Sequence, residues 1–221
     1  MSSLPVGGGA EAPVRFYPTA VYSSPSGAVA RVLTGGWAVS IRVYKDHRPT
    51  FARNVYIDVD AVIVGDVVIE HGANIWPGAV LRGDVERITV GAEASVQDNA
   101  VVHCDPGFPV LIGARTVVGH GVILHGATVG EDCLVGMGSI LLNGCAIGAQ
   151  SIVGAGALVT GGKVFPPRSM ILGAPAAVAR EVTDDDLEAA ADLYRRYVRR
   201  AQELLGMGVG ADLSPFRERR A

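Results

Sequence analysis

The sequence predicts an all-β fold, a parallel β-helix carrying one C-terminal α-helix. Three observations predict it: an aliphatic residue recurring every six positions, glycines concentrated in the same stretch, and one amphipathic segment near the end. Ile63, Ile69, Ile75 and Leu81 open the pattern. Three extra residues around 84–87 interrupt it before Val90, Val96 and Val102, and four more at 105–108 precede Ile112 and Val118. Ile123, Val129, Val135, Leu141, Ile147, Val153, Val159 and Phe165 then complete it. A strand has period two and an amphipathic helix 3.6, so a period of six describes a strand of a few residues plus a turn, repeated. Such coils place one aliphatic side chain inward per repeat and are stable only against their neighbours. Nineteen of the 29 glycines fall within 61–162, where turns between short strands call for positive φ or close backbone approach. The step from Val118 to Ile123 is five rather than six, which reads as a slip of register between His120 and His125.

The repeat sets the domain boundaries. Residues 1–43 form an extension in which Gly and Pro punctuate short apolar runs, with a short strand expected inside 37–43. Residues 44–180 hold the β-helix, 181–206 the helix and 207–221 a tail. Thr183 with Asp186 resembles a capping box, and Asp184, Asp185 and Asp186 suit the positive end of the helix dipole. Leu187, Ala190, Ala191, Tyr194, Tyr197, Val198, Ala201, Leu204 and Leu205 make an apolar stripe, stopped at Gly206. The stripe is expected to lie along a flat outer face of the coils, leaving Arg195, Arg196, Arg199 and Arg200 in solvent.

Composition narrows the function. A chain of 221 residues, 49% hydrophobic, is ample for one core. A net charge of −3, with no dense Lys/Arg cluster outside the last 30 residues, argues against nucleic acid as a partner. No apolar run approaches the roughly 18 residues of a membrane span, and the first residues lack a signal-like pattern, so a cytoplasmic protein is expected. Cys104, Cys133 and Cys145 form no CxxC pair and read as buried fillers in a reducing compartment. Cys104 adjoins His103, but neighbours in a strand point to opposite faces, so a fourth ligand there is not expected.

The chemistry lies in the histidines. His103, His120 and His125 fall within 23 residues, inside Gly- and Val-rich repeats where an imidazole has no packing advantage. Three neutral imidazoles with an open position describe a catalytic zinc site, and imidazole also accepts iron or cobalt. His47 and His71 read as surface residues. Gln97 points to function, because a buried amide costs free energy unless it finds partners.

Ile75-Trp76-Pro77-Gly78, Leu81-Arg82-Gly83-Asp84, Val96-Gln97-Asp98-Asn99, Val102-His103, Val118-Gly119-His120, Leu124-His125-Gly126, Val135-Gly136-Met137-Gly138 and Gly173-Ala174-Pro175-Ala176 together resemble the γ-class carbonic anhydrases over residues 44–205. The resemblance implies a left-handed β-helix of triangular section, a homotrimer, and metal sites at subunit interfaces. It implies His103 and His125 from one subunit with His120 from its neighbour, holding Zn2+, or alternatively Fe2+ or Co2+. Arg82 and Asp84 match residues at or near that interface, and Gln97 matches one beside the metal-bound solvent. Arg82 either binds bicarbonate or pairs with Asp84. The implied reaction is hydration of CO2 to bicarbonate, water being activated by the metal.

The chain departs from the best-developed members in one respect. They insert a long acidic loop with a proton-shuttling glutamate between the first two histidines, where this chain has Asp105-Pro106-Gly107-Phe108. Glu86 and Asp105 are the carboxylates left to replace it. Trp76 and Pro77 read as corner residues, Tyr197 as packing, and Asn143 as a turn cap or part of a polar ladder. A metal-binding trimer with an assembly, binding or thioesterase role, and a CoA-dependent acyltransferase, are the alternatives, since the fold hosts several chemistries.

Overall fold

The computed structural model describes residues 40–216; the expected extension before residue 40 lies outside them. Short strands alternate with turns and stack as a parallel β-solenoid with three faces. The first face runs through Ser40–Arg42, Val101–His103, Ile123–His125 and Ile140–Leu141 to Leu158–Val159. The second includes Thr50–Phe51, Val110–Ile112, Thr128–Val129, Ala146–Ile147 and Val164–Phe165. Tyr56–Ile57, Asn74–Ile75, Ser95–Val96, Val117–Val118, Leu134–Val135 and Ile152–Val153 make the third. Val62–Ile69 and Val80–Val90 turn from the first face into the second. Antiparallel pairing of Ser169–Gly173 with Ala176–Glu181 ends the stack.

Partner strands reveal the length of each coil. Tyr56 lies opposite Asn74 and Ile140 opposite Leu158, so a regular coil is 18 residues, or three hexapeptides. Asn74 opposite Ser95 makes 21, and Val101 opposite Ile123 makes 22, which absorbs the two insertions. Leu111 opposite Thr128 makes 17.

The short step exists, but not where the periodicity placed it. Leu124 is fully buried while Ile123 is 39% exposed, so the inward series runs Val118, Leu124, Val129. The five-residue step therefore follows Leu124 and passes through the corner at Gly126. Ile123 and Leu124 are adjacent aliphatics, and only strand alternation decides which one enters the core. The turns also depart from the glycine expectation at one corner, where Asn54, Glu93, Arg115, Asp132, Gln150 and Arg168 all take positive φ. From Glu93 onward their backbone N–H groups bond the preceding coil, and this ladder offsets the strain.

The helix spans Asp184–Gly206, with Met207 rather than Gly206 as its C-cap. Its capping box is complete: Thr183 accepts from the Asp186 N–H, and Asp186 accepts from the Thr183 N–H. The helix packs on the third face, where Tyr197, Trp76 and Tyr56 form an aromatic cluster with Ala201. Arg195, Arg196, Arg199 and Arg200 are exposed as expected. Beyond it, Leu213 and Phe216 join the core, and Phe216 meets Phe51 edge-on at 5.9 Å. The chain thus returns from the last coil to cover the first.

Truncating an inward leucine removes buried contacts and leaves a cavity, so Leu124→Ala is expected to cost about 2–5 kcal/mol. Ile123→Ala should cost much less. Denaturant titration of both variants at one protein concentration checks the register, and the opposite order of costs would overturn it.

Candidate metal centre

Alternation decides where the histidines point. In Val101–His103 and Ile123–His125 the middle residue is inward, so both imidazoles face outward. His103 lies opposite His125, with ring centroids 5.0 Å apart and His103 Nδ1 3.0 Å from His125 Nε2. Arg82 occupies the same position in the preceding coil, opposite His103.

Each ring is held at its far nitrogen. Asp84 Oδ1 lies 3.1 Å from His103 Nε2, and Arg82 Nη1 donates to Asp84 Oδ2 at 2.6 Å. Burial acts to raise the Asp84 carboxyl, but the bonds from Arg82 and His103 outweigh it and hold it below the usual carboxylate range. On the other ring, Asn143 Oδ1 lies 2.6 Å from His125 Nδ1, and Asn143 Nδ2 donates to Asp105 Oδ2 at 2.8 Å. Carboxylate and amide oxygens only accept, so these partners assign the proton to Nε2 of His103 and to Nδ1 of His125. In the neutral rings the two facing nitrogens are then both lone pairs. At 3.0 Å lone pairs repel unless a cation joins them. Tetrahedral zinc, with Zn–N near 2.0–2.1 Å, spaces its ligand nitrogens by about 3.3 Å. The donor chemistry and the outer partners therefore fit two positions of a metal site.

His120 stands at another corner, on the turn between the third and first faces. Its Nδ1 is 2.9 Å from Asp98 Oδ2, its Nε2 is 3.5 Å from the Tyr197 hydroxyl, and its side chain is 45% exposed. Burial and the nearby Asp98 push the Tyr197 hydroxyl above its ordinary pKa. Gln97 is buried and, with His120, Val135, Met137 and Tyr197, lines a cavity of about 370 Å³. The structure thus gathers Arg82, Asp84, His103 and His125 at one corner and Gln97 with His120 at another. Ordinary hexapeptide spacing separates them, not a register slip. Among the described residues, no three His, Cys, Asp or Glu side chains of one chain form a group able to hold a metal ion.

Between the two corners the first face is apolar. Val62, Val80, Val101, Ile123, Ile140 and Leu158 lie opposite one another in successive coils and point outward. The helix leaves this face uncovered, since it packs on the third.

The neighbouring carboxylates and the cysteine are occupied. Glu86 Oε1 accepts from the Gly107 N–H, and Asp105 accepts from Asn143. Cys104 points inward as alternation requires; its Sγ accepts from the Glu86 N–H at 3.2 Å and donates to the Glu86 carbonyl at 3.0 Å. Burial raises its thiol pKa. Asn143 is the residue whose place at the site the sequence reading missed. It lies two residues past Leu141, the partner of Leu124, and no local motif marks it.

Comparison with known proteins places the chain among hexapeptide-repeat proteins of mixed names, carbonic anhydrases and transferases among them. Residues 126–161 match the family model described as bacterial transferase hexapeptide (six repeats). The chain is 48% identical over 153 residues to a "Probable carbonic anhydrase" of Methanocaldococcus jannaschii, covering 69% of this chain and 96% of that protein. It is 42% identical to a "Carbonic anhydrase" of Geobacillus kaustophilus, covering 72% and 87%. A solved hexapeptide transferase family protein from Anaplasma phagocytophilum superposes with a TM-score of 0.67 at 35% identity, covering 70% and 92%.

The corner behind His125 is close-packed. A Cβ on Gly126, at φ +58, would come within 2.6 Å of Asn143 Oδ1 and 2.7 Å of Phe108 Cβ, whereas one on Gly162, at φ +69, meets nothing within 4 Å. Gly162→Ala is expected to cost only the left-handed penalty, about 1–2 kcal/mol. Gly126→Ala should cost clearly more, and equal losses in denaturant titrations would contradict the packing.

Proposed function

Because the chain belongs to the hexapeptide-repeat family of γ-class carbonic anhydrases, we propose that it is a carbonate dehydratase that hydrates CO2 to bicarbonate in a homotrimer. The ligands are His103 and His125 of one subunit and His120 of the partner subunit. The observation that carries this reading is the pair of imidazole nitrogens 3.0 Å apart, each ring fixed from behind by an acceptor. A second observation supports the sharing of the site. The two half-sites lie at opposite edges of one apolar face, so joining that face head-to-tail in a closed ring of three would bring His120 of one copy to His103 and His125 of the next.

Zn2+ fits three imidazoles, as do Fe2+ and Co2+, and when bound such an ion supplies Lewis acidity that brings the pKa of water down to about 7. The side chains do the rest. Asp84 orients His103 and is itself anchored by Arg82. The Arg82 side chain is 46% exposed and its guanidinium keeps donors free for a bicarbonate oxygen. Gln97, beside His120, offers both a donor and an acceptor to orient water or a substrate oxygen. The apolar lining next to it suits CO2. Glu86 and Asp105 each accept one bond at the coil corner, and without a long acidic loop between the first two histidines proton removal is assigned to buffer.

Stopped-flow CO2 hydration, on protein of measured metal content, is expected to show a rate that rises with buffer concentration. No rate above background at full occupancy would sink the hydration reading and leave a metal-binding trimer.

His103→Ala and His120→Ala should each lose metal while remaining folded. Mixing the two variants should restore part of the metal binding through hybrid interfaces, and no restoration after verified subunit exchange would argue for a site within one chain.

A further inference from the structure

Residues 105–108 lengthen the corner after His103, and the Asp105 and Phe108 side chains turn back onto the next two coils. Asp105 Oδ2 accepts from Asn143 Nδ2 at 2.8 Å and stands 4.0 Å from His125 Nδ1. Asn143 Oδ1 is 2.6 Å from that same nitrogen. Phe108 packs on this corner so closely that a Cβ on Gly126 or Gly144 would come within 2.7 or 3.1 Å of its side chain. The Gly107 N–H is held by Glu86 at 3.0 Å, so the insertion at 84–87 fixes the one at 105–108.

The order of donors and acceptors gives this arrangement a chemical direction. An amide side chain has one donor end and one acceptor end, and by itself either end can face an imidazole. Asp105, a carboxylate, only accepts and therefore selects the NH2 end. The amide oxygen is then left toward His125, where it too only accepts. His125 must donate from Nδ1, and its Nε2 is left bare, facing His103 Nδ1 at 3.0 Å. With the amide reversed, the ring would accept at Nδ1 and carry its proton on Nε2, blocking that approach.

We propose that Asn143 and Asp105 are positioning residues for the metal site: Asp105 orients the Asn143 amide, and Asn143 fixes His125 in the Nδ1–H tautomer. The consequence for metal binding rests on the reading of His103 and His125 as ligands, whereas the tautomer is a property of the metal-free chain. His103 is set by the complementary device, a carboxylate acting directly on Nε2. The two rings therefore present opposite nitrogens from adjacent coils toward one point. The insertion at 105–108 has an orienting task in this scheme.

The test starts with metal-free protein labelled with 15N-histidine, using long-range 1H–15N spectra in which His125→Gln assigns the His125 signals. The parent should show His125 as the Nδ1–H tautomer. Asn143→Leu should give a mixture or the other tautomer, and so should Asp105→Ala, a change at a half-exposed side chain. Asn143→Asp puts an acceptor-only carboxylate against His125 Nδ1 and should hold the Nδ1–H tautomer without help from Asp105, in the double variant Asp105→Ala/Asn143→Asp as well. Zinc affinity, measured by competition with a chromophoric chelator, should fall about 10–100-fold in Asn143→Leu and be restored in the double variant. An unchanged His125 tautomer in folded Asn143→Leu and Asp105→Ala would overturn the proposal, as would a double variant no better than Asp105→Ala alone. If the parent binds none of Zn2+, Fe2+ and Co2+, the carbonic anhydrase reading fails, while the metal-free spectra still decide the positioning claim.

Discussion

Every coil must lay its strands on the coil before it with one side chain in and the next one out, and the site is a by-product of that constraint. An inward aliphatic residue at the centre of a three-residue strand forces its neighbours outward. Val102 and Leu124 are buried, so His103 and His125 emerge from the same face in adjacent coils. Their sequence separation of 22 would not match a regular coil of 18, and the four residues added at 105–108 bring them level. The same insertion supplies Asp105 and Phe108, so register and local chemistry are set by one segment.

The corner between the first and second faces carries the irregularities because it can. Strands within a face are fixed by pairing on both sides, whereas a corner can lengthen outward without breaking the ladder. Residues 84–87 and 105–108 both lengthen it, and they are tied together by the Gly107 N–H on Glu86 and by the Cys104 thiol on the Glu86 backbone. The histidine pair is thereby held by rigid coils beneath and a cross-linked corner behind. The helix fixes the opposite corner, where Tyr197 reaches His120 while its ring packs on Trp76. By covering the third face, it leaves the apolar first face as the surface between the half-sites.

Much of this was legible in the chain. The period of six gave the solenoid, the breaks in it gave the two insertions, and Thr183 with Asp186 gave the helix start. The histidines stood out because imidazole has no place in an aliphatic repeat. The choice between Ile123 and Leu124 was not legible, since both are aliphatic and the inward one is fixed by pairing with Val102 and Leu141. Nor was the role of Asn143, because an asparagine in a turn-rich repeat has many ordinary uses and its partners Asp105 and His125 lie 38 and 18 residues away.

Periodicity, capping chemistry and residue type are local properties, and through them the sequence by itself determined a stacked β-solenoid, its insertions, its helix and the three candidate ligands. The tertiary structure alone decided which side chains meet. It moved the short step past Leu124, placed His103 against His125 and His120 at a different corner, and set Asp84 and Asn143 behind the two rings. The physical reason is that coil stacking joins residues 17 to 22 positions apart, and a residue gained or lost in a turn changes which positions meet across that coil.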